Sequence, residues 1–116
     1  MNNHKDLEVW KRSIELTKLV YQTTKEFPKE ELYGITNQLR RSSVSIASNI
    51  AEGAARNSKN EFKQFLYFAL GSLSELETQL IICKEINYIT SEIFYKLENL
   101  FVEIRKMLLG LIKSVK

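Results

Sequence analysis

The chain has 116 residues and a mass of 13.5 kDa, which at roughly 100–200 residues per domain is a single domain spanning 1–116. Lys and Arg number 17 against 14 Asp and Glu, leaving +3, and 44% of the residues are apolar. This composition excludes a disordered chain, one Cys excludes an internal disulfide framework, and one His with one Cys cannot build a zinc site.

The hydropathy pattern predicts four helices and no strand. The first covers about 5–27, with Leu7, Trp10, Ile14, Thr17 and Tyr21 at alternating steps of three and four, and Val9, Leu16, Val20 and Phe27 as a second row. Pro28 restricts Phe27 to extended geometry and ends it. The second covers about 33–55, with Ile35, Leu39, Ile46 and Ile50 on one face. Ser58 followed by Glu61 reads as a capping box that opens the third, about 59–87. There Phe62, Leu66, Ala69, Leu73, Leu76, Leu80 and Cys83 form a heptad seam. Thr90-Ser91 opens the fourth, about 91–115, with Ile93, Leu97, Leu100, Ile104, Met107 and Leu111 repeating the alternation and Phe94, Phe101, Leu108 and Ile112 widening the apolar arc. Helices of this length joined by loops of about 2–6 residues fold back on one another. The expected fold is all-α: an up-down-up-down antiparallel four-helix bundle.

Tyr95, Val102 and Leu109 fall on the back of the fourth helix, at about 160–200° from Ile93. Two readings stand for them: scattered apolar residues in water, which are common, or a subunit interface. In the second helix Gln38, Arg41, Ser45, Ser48, Asn49, Glu52 and Arg56 make a continuous polar stripe, with Glu52 and Arg56 an i,i+4 pair. The stripe reads either as a structural network or as a contact for phosphate or a partner, since Arg offers oxyanions a planar fork. Glu52→Ala is expected to destabilise the fold or assembly by about 1–3 kcal/mol through unpaired partners. Gly53 and Gly71 inside helices each cost about 1 kcal/mol against Ala, which suggests close approach of a neighbouring backbone.

Catalysis finds little support. His4 lies at the terminus, Cys83 sits on a core seam, and Glu75 and Glu77 diverge on their helix. No Glu-x-x-His pair of the ferritin-like di-metal type occurs. Neither catalytic residue, metal nor cofactor is expected, nor a small-molecule substrate. Charge is uneven: residues 1–33 sum to zero, 34–63 to +3, 64–95 to −3 and 96–116 to +3. Arg40, Arg41, Arg56, Lys59 and Lys63, with Lys106, Lys113 and Lys116 in the tail, are the candidate nucleic-acid contacts. No recognised binding motif accompanies them, so any contact would be to backbone phosphates and salt-dependent. Residues 1–6 lack the apolar core of a signal peptide and no run approaches about 18 apolar residues. The expected location is the cytoplasm, with no membrane partner.

The chain resembles the four-helix-bundle proteins encoded in intervening sequences of 23S ribosomal RNA genes. The resemblance rests on Asp6-Leu7-Glu8-Val9-Trp10, Phe27-Pro28 with Glu31, Tyr33-Gly34-Ile35-Thr36 and Gln38-Leu39-Arg40-Arg41. It continues through Val44-Ser45-Ile46, Ser48-Asn49-Ile50-Ala51-Glu52-Gly53 and Arg56, then Glu61-Phe62, Phe65-Leu66, Gly71-Ser72-Leu73 and Glu75-Leu76-Glu77. It implies a small cytoplasmic bacterial bundle, commonly a ring-shaped homopentamer, and no enzyme. Arg40, Arg41, Asn49, Glu52, Gly53 and Arg56 are the motif residues, without a catalytic role. A related branch, the accessory proteins of diversity-generating retroelements, is strongly basic and binds nucleic acid; the modest +3 here favours the intervening-sequence branch. The expectation is a non-catalytic oligomer contacting RNA or a ribonucleoprotein. A protein–protein scaffold without nucleic-acid affinity is the alternative.

Overall fold

The computed structural model describes residues 3–115. Four helices, α1 (Glu8–Thr24), α2 (Ile35–Ala55), α3 (Lys59–Glu85) and α4 (Ser91–Ser114), pack each against its chain neighbours, and α4 closes the ring against α1. The result is an antiparallel up-down-up-down bundle measuring 44 × 24 × 19 Å.

The helix boundaries follow local chemistry. The Ser58 hydroxyl accepts from the Glu61 N–H (3.2 Å) and the Thr90 hydroxyl from the Ile93 N–H (3.2 Å), so both expected N-caps form. The Glu61 carboxylate turns towards Arg56 (3.7 Å). α3 stops at Glu85, two residues short of the expected end. Asn87 takes the left-handed conformation (φ 65°), and the Asn87 and Tyr88 N–H groups donate to the carbonyls of Lys84 (3.1 Å) and Cys83 (2.8 Å). That is a Schellman ending with Asn in place of Gly.

The first two helices are shorter than the periodicity suggests. A short 3-10 turn at His4–Asp6 precedes α1, and α1 ends at Thr24, whose hydroxyl bonds back to the Val20 carbonyl (2.8 Å). Phe27 is buried beyond the helix end. A second 3-10 turn at Lys29–Glu31 occupies part of the α1–α2 connection, and α2 begins at Ile35, leaving Tyr33 92% exposed.

The α3 seam is buried along its whole length, from Phe62 to Cys83. Two other helices bury a different row from the one the alternation favours. In α1 the core is Val9, Leu16 and Val20 with Ser13 and Thr24, while Ile14 and Tyr21 are exposed. Ser13 and Thr24 satisfy their hydroxyls on carbonyls four residues back, so small polar residues sit in the core at little cost. A pattern search confined to apolar types passes over them. In α4 the buried residues, Phe94, Leu97, Phe101, Ile104, Leu108 and Ile112, are displaced to the Phe94 side of the apolar arc, and Ile93 is exposed.

α2 and α3 make the closest pair. A Cβ at Gly53 would stand 2.7 Å from the Phe65 Cβ and 3.1 Å from Phe62 Cδ1, the close approach its position suggests. Gly71 differs: nothing lies within 4 Å of a Cβ there, so no neighbour in the described chain requires glycine. Between the same two helices the Ser42 hydroxyl donates to Gln79 Oε1 (2.8 Å), and both residues are buried.

Candidate functional site

The residues that might carry function are surface side chains, and the bundle sorts them into separate places. α2 rises about 1.5 Å per residue, so Arg41 and Arg56 stand about 22 Å apart along its axis. Arg40 and Arg41 therefore belong to one end of the bundle. Arg56, Lys59 and Lys63 belong to the other, where Lys113 at the end of α4 also lies. The basic group that looked single in sequence is two groups. Lys116 lies outside the described residues.

Within each group, internal partners claim some of the cations. Arg40 faces α1: its Nε donates to Thr24 Oγ1 (2.9 Å) and its guanidinium lies over the Tyr21 ring, 4.7 Å from the centroid. Arg56 pairs with Glu52 (2.8 Å) and Glu61 (3.7 Å) and covers the Phe65 ring at 4.9 Å. Arg41, Lys59 and Lys63 have no carboxylate within 4 Å among the described residues.

The polar stripe runs along the outer side of α2. Asn49 donates from Nδ2 to the Ser45 carbonyl (2.8 Å), Gln38 is exposed, and Gly53 marks where the helix meets α3. The Glu52–Arg56 pair is solvent-exposed, and exposed i,i+4 pairs are worth little. The cost of Glu52→Ala is accordingly about 0.2–1 kcal/mol, below the figure for a buried network.

Tyr95, Val102 and Leu109 are 58%, 40% and 48% exposed. Tyr67 and Ile81 of α3 are also exposed. Lys84 lies over the Tyr95 ring (5.3 Å) and Arg105 pairs with Glu77 (2.8 Å), which fixes the antiparallel register; Ile81 and Val102 stand between these two contacts.

Sequence reading passed over two groups. The first is on α1, where Lys25 at the helix end lines a cavity together with Arg40. Lys18 and Lys25 have no carboxylate within 4 Å among the described residues, whereas Lys11 pairs with Glu8 (3.6 Å). The seven-residue spacing of Lys11, Lys18 and Lys25 was the available signal. The second is Glu98, partly buried beside Glu77 and Arg105. Burial chiefly, then the charge of Glu77 and a hydrogen bond with it, push its carboxyl above the ordinary 4.5, against the lowering effect of Arg105. Its Oε2 is buried without a hydrogen-bond partner among the described residues.

A group that protonates more readily when folded adds stability at low pH and loses that contribution as pH rises through its folded value. Wild type at pH 7 lacks it. Glu98→Gln should raise Tm by about 3 °C at pH 7, somewhat under 1 kcal/mol for a domain of this size. The gain should shrink at pH 4, and calorimetry at the two pH values checks it; an equal gain at both would contradict the assignment.

Cys83 is buried, and desolvation, with a smaller effect of Glu31, raises its thiol to about 11, which suits a core residue and not a nucleophile. His4 packs edge-on against Trp10, with ring centroids 5.3 Å apart. Among the described residues no group of three or more His, Cys, Asp or Glu could hold a metal ion, and no helix is long and apolar enough to cross a membrane.

These features define a closed antiparallel helical bundle with cationic surfaces at both ends and an apolar surface over α3 and α4. The chain belongs to the 23S rRNA-intervening sequence protein family, whose model matches residues 5–110. A crystal structure from Bacteroides thetaiotaomicron, described as a protein of unknown function from the S23 ribosomal protein family, is similar: 28% identity, a TM-score of 0.81, 91% of this chain and 99% of that one covered. A search of curated proteins returned no match. No catalytic family or site is indicated by these likenesses.

Proposed function

We propose that the protein is a cytoplasmic, non-catalytic homo-oligomer that contacts RNA or a ribonucleoprotein through Arg and Lys side chains, with a pentamer favoured by the family resemblance. The observation that carries this is the set of cations without carboxylate partners among the described residues: Arg41 at one end of the bundle, Lys59 and Lys63 at the other. Ile35–Ala51 of α2 contains two Arg and no acidic residue, so a polyanion meets no local repulsion along that stretch. Assembly would multiply the surface, and the exposed Tyr95, Val102 and Leu109 supply apolar area for it.

The test is retention on immobilised RNA at low salt. Phosphate contacts release counterions, so retention should fall steeply as salt rises. Combined Arg41→Ala, Lys59→Ala and Lys63→Ala should lower the eluting salt concentration, with the helical spectrum unchanged. These three are better probes than Arg40 and Arg56, whose loss also disturbs packing or pairing. Absence of retention at low salt would leave the protein–protein scaffold without nucleic-acid affinity.

A further inference from the structure

We infer that the α1–α2 flank around Arg40 is a groove for single-stranded RNA, in which Arg40, backed by Tyr21, stacks a base and Lys25 and Arg41 hold the adjoining phosphates. This rests on the RNA-contact reading above and places the contact at one end of the bundle, with residues that reading does not include.

Two neighbouring cavities share Arg40 as a wall. One, of about 500 Å³, is lined by Tyr21, Asn37, Arg40, Arg41, Val44 and Ser45. The other, of about 430 Å³, includes Lys25, Phe27, Pro28, Lys29, Leu32 and Thr36. Lys18, Lys25, Lys29, Arg40 and Arg41 all lack a carboxylate within 4 Å among the described residues.

Arg40 is fixed on its inner side by Thr24 and Tyr21, and its terminal nitrogens make no hydrogen bond among the described residues. A guanidinium over an aromatic ring offers its outer side to a base. Phe27, Pro28 and Leu32 give the second cavity the apolar surface that a base needs.

Two adjoining cavities that share Arg40 favour a strand over a single nucleotide. A duplex hides its bases and could use only the phosphate contacts.

The experiment is fluorescence anisotropy of the full chain with a labelled single-stranded oligoribonucleotide and a duplex of equal length, across a salt series. Wild type should bind the single strand at least about tenfold more tightly than the duplex. The combined Lys25→Gln and Arg41→Gln variant should lower the slope of log affinity against log salt by about 1.4, at about 0.7 per contact on a single strand. Tyr21→Leu, which removes the support under the Arg40 guanidinium, should weaken single-strand binding about tenfold, the loss of one stacked base, and leave duplex binding unchanged. Circular dichroism of each variant should match wild type, since all three side chains lie on the surface. Equal affinity for duplex and single strand, or a loss confined to Lys59→Gln and Lys63→Gln, would overturn the groove while leaving RNA contact intact. Binding of neither nucleic acid would overturn both.

Discussion

Gly53→Ala is expected to destabilise the protein by about 2 kcal/mol, a fall in Tm of about 10 °C. A methyl group at this position would meet the Phe65 Cβ at 2.7 Å and the Phe62 carbonyl oxygen at 3.3 Å. A Cβ is fixed to its backbone and cannot rotate aside, so α2 and α3 must separate. Separation would loosen Leu39, Ile46 and Ile50 against Leu66, Leu73 and Leu80, all fully buried, and strain the buried Ser42–Gln79 hydrogen bond. Overpacking of this kind costs about 1–3 kcal/mol. Alanine recovers about 1 kcal/mol of helix propensity, and the severity of the clash leaves the balance unfavourable. Gly71→Ala is the matched control: with open space around it, only the propensity gain remains, and Tm should rise by about 5 °C. Thermal melts of the two variants beside wild type decide the matter. A Gly53→Ala protein as stable as wild type would contradict the close α2–α3 contact.

Val102→Glu should reduce the solution mass from several times 13.5 kDa to that of one chain. Val102 lies in the middle of the exposed row with Tyr95 and Leu109, beside Ile81. Fully burying each such side chain is worth about 1.5–3 kcal/mol, so a row of this size can hold subunits together. A glutamate at its centre would have to be buried against a partner without a counter-charge, at a cost of several kcal/mol. In the separated chain the same side chain sits in water, so helix content should hardly change, while Tm should lose the part that assembly contributes. Light scattering at micromolar concentration reads the mass. A wild-type monomer would rule out the assembly, and a variant that keeps the full mass would move the interface away from α4.

The two outcomes also separate what is local from what is not. Four helices, their caps at Ser58 and Thr90 and the α3 seam were legible because each is a property of residues three to seven apart. Turn geometry and heptad spacing are encoded in contiguous sequence. The buried row of α1 was not legible in the same way. Ile14 is as apolar as Leu16 and Tyr21 carries a large aromatic ring, so which row turns inward depends on where α2 and α4 lie. The buried Ser13, Thr24 and Gln79 were missed because their suitability for the core depends on hydrogen-bond partners that the fold supplies.

The candidate sites divide along the same line. The exposed Tyr95, Val102 and Leu109 followed from helix geometry alone, since a residue opposite the core face cannot reach the core of its own bundle. The charge groups did not. Summing charge along the chain joined Arg40 to Lys63 and cancelled α1 to zero, yet the bundle sets Arg41 and Arg56 about 22 Å apart and brings Lys25 of α1 to a cavity it shares with Arg40. By itself the sequence determined an all-helical bundle of four rods and the family to which it belongs. Only the tertiary structure decided which cations keep each other's company. Helical periodicity is a short-range property of the backbone, whereas proximity between helices depends on how four amphipathic faces share one core.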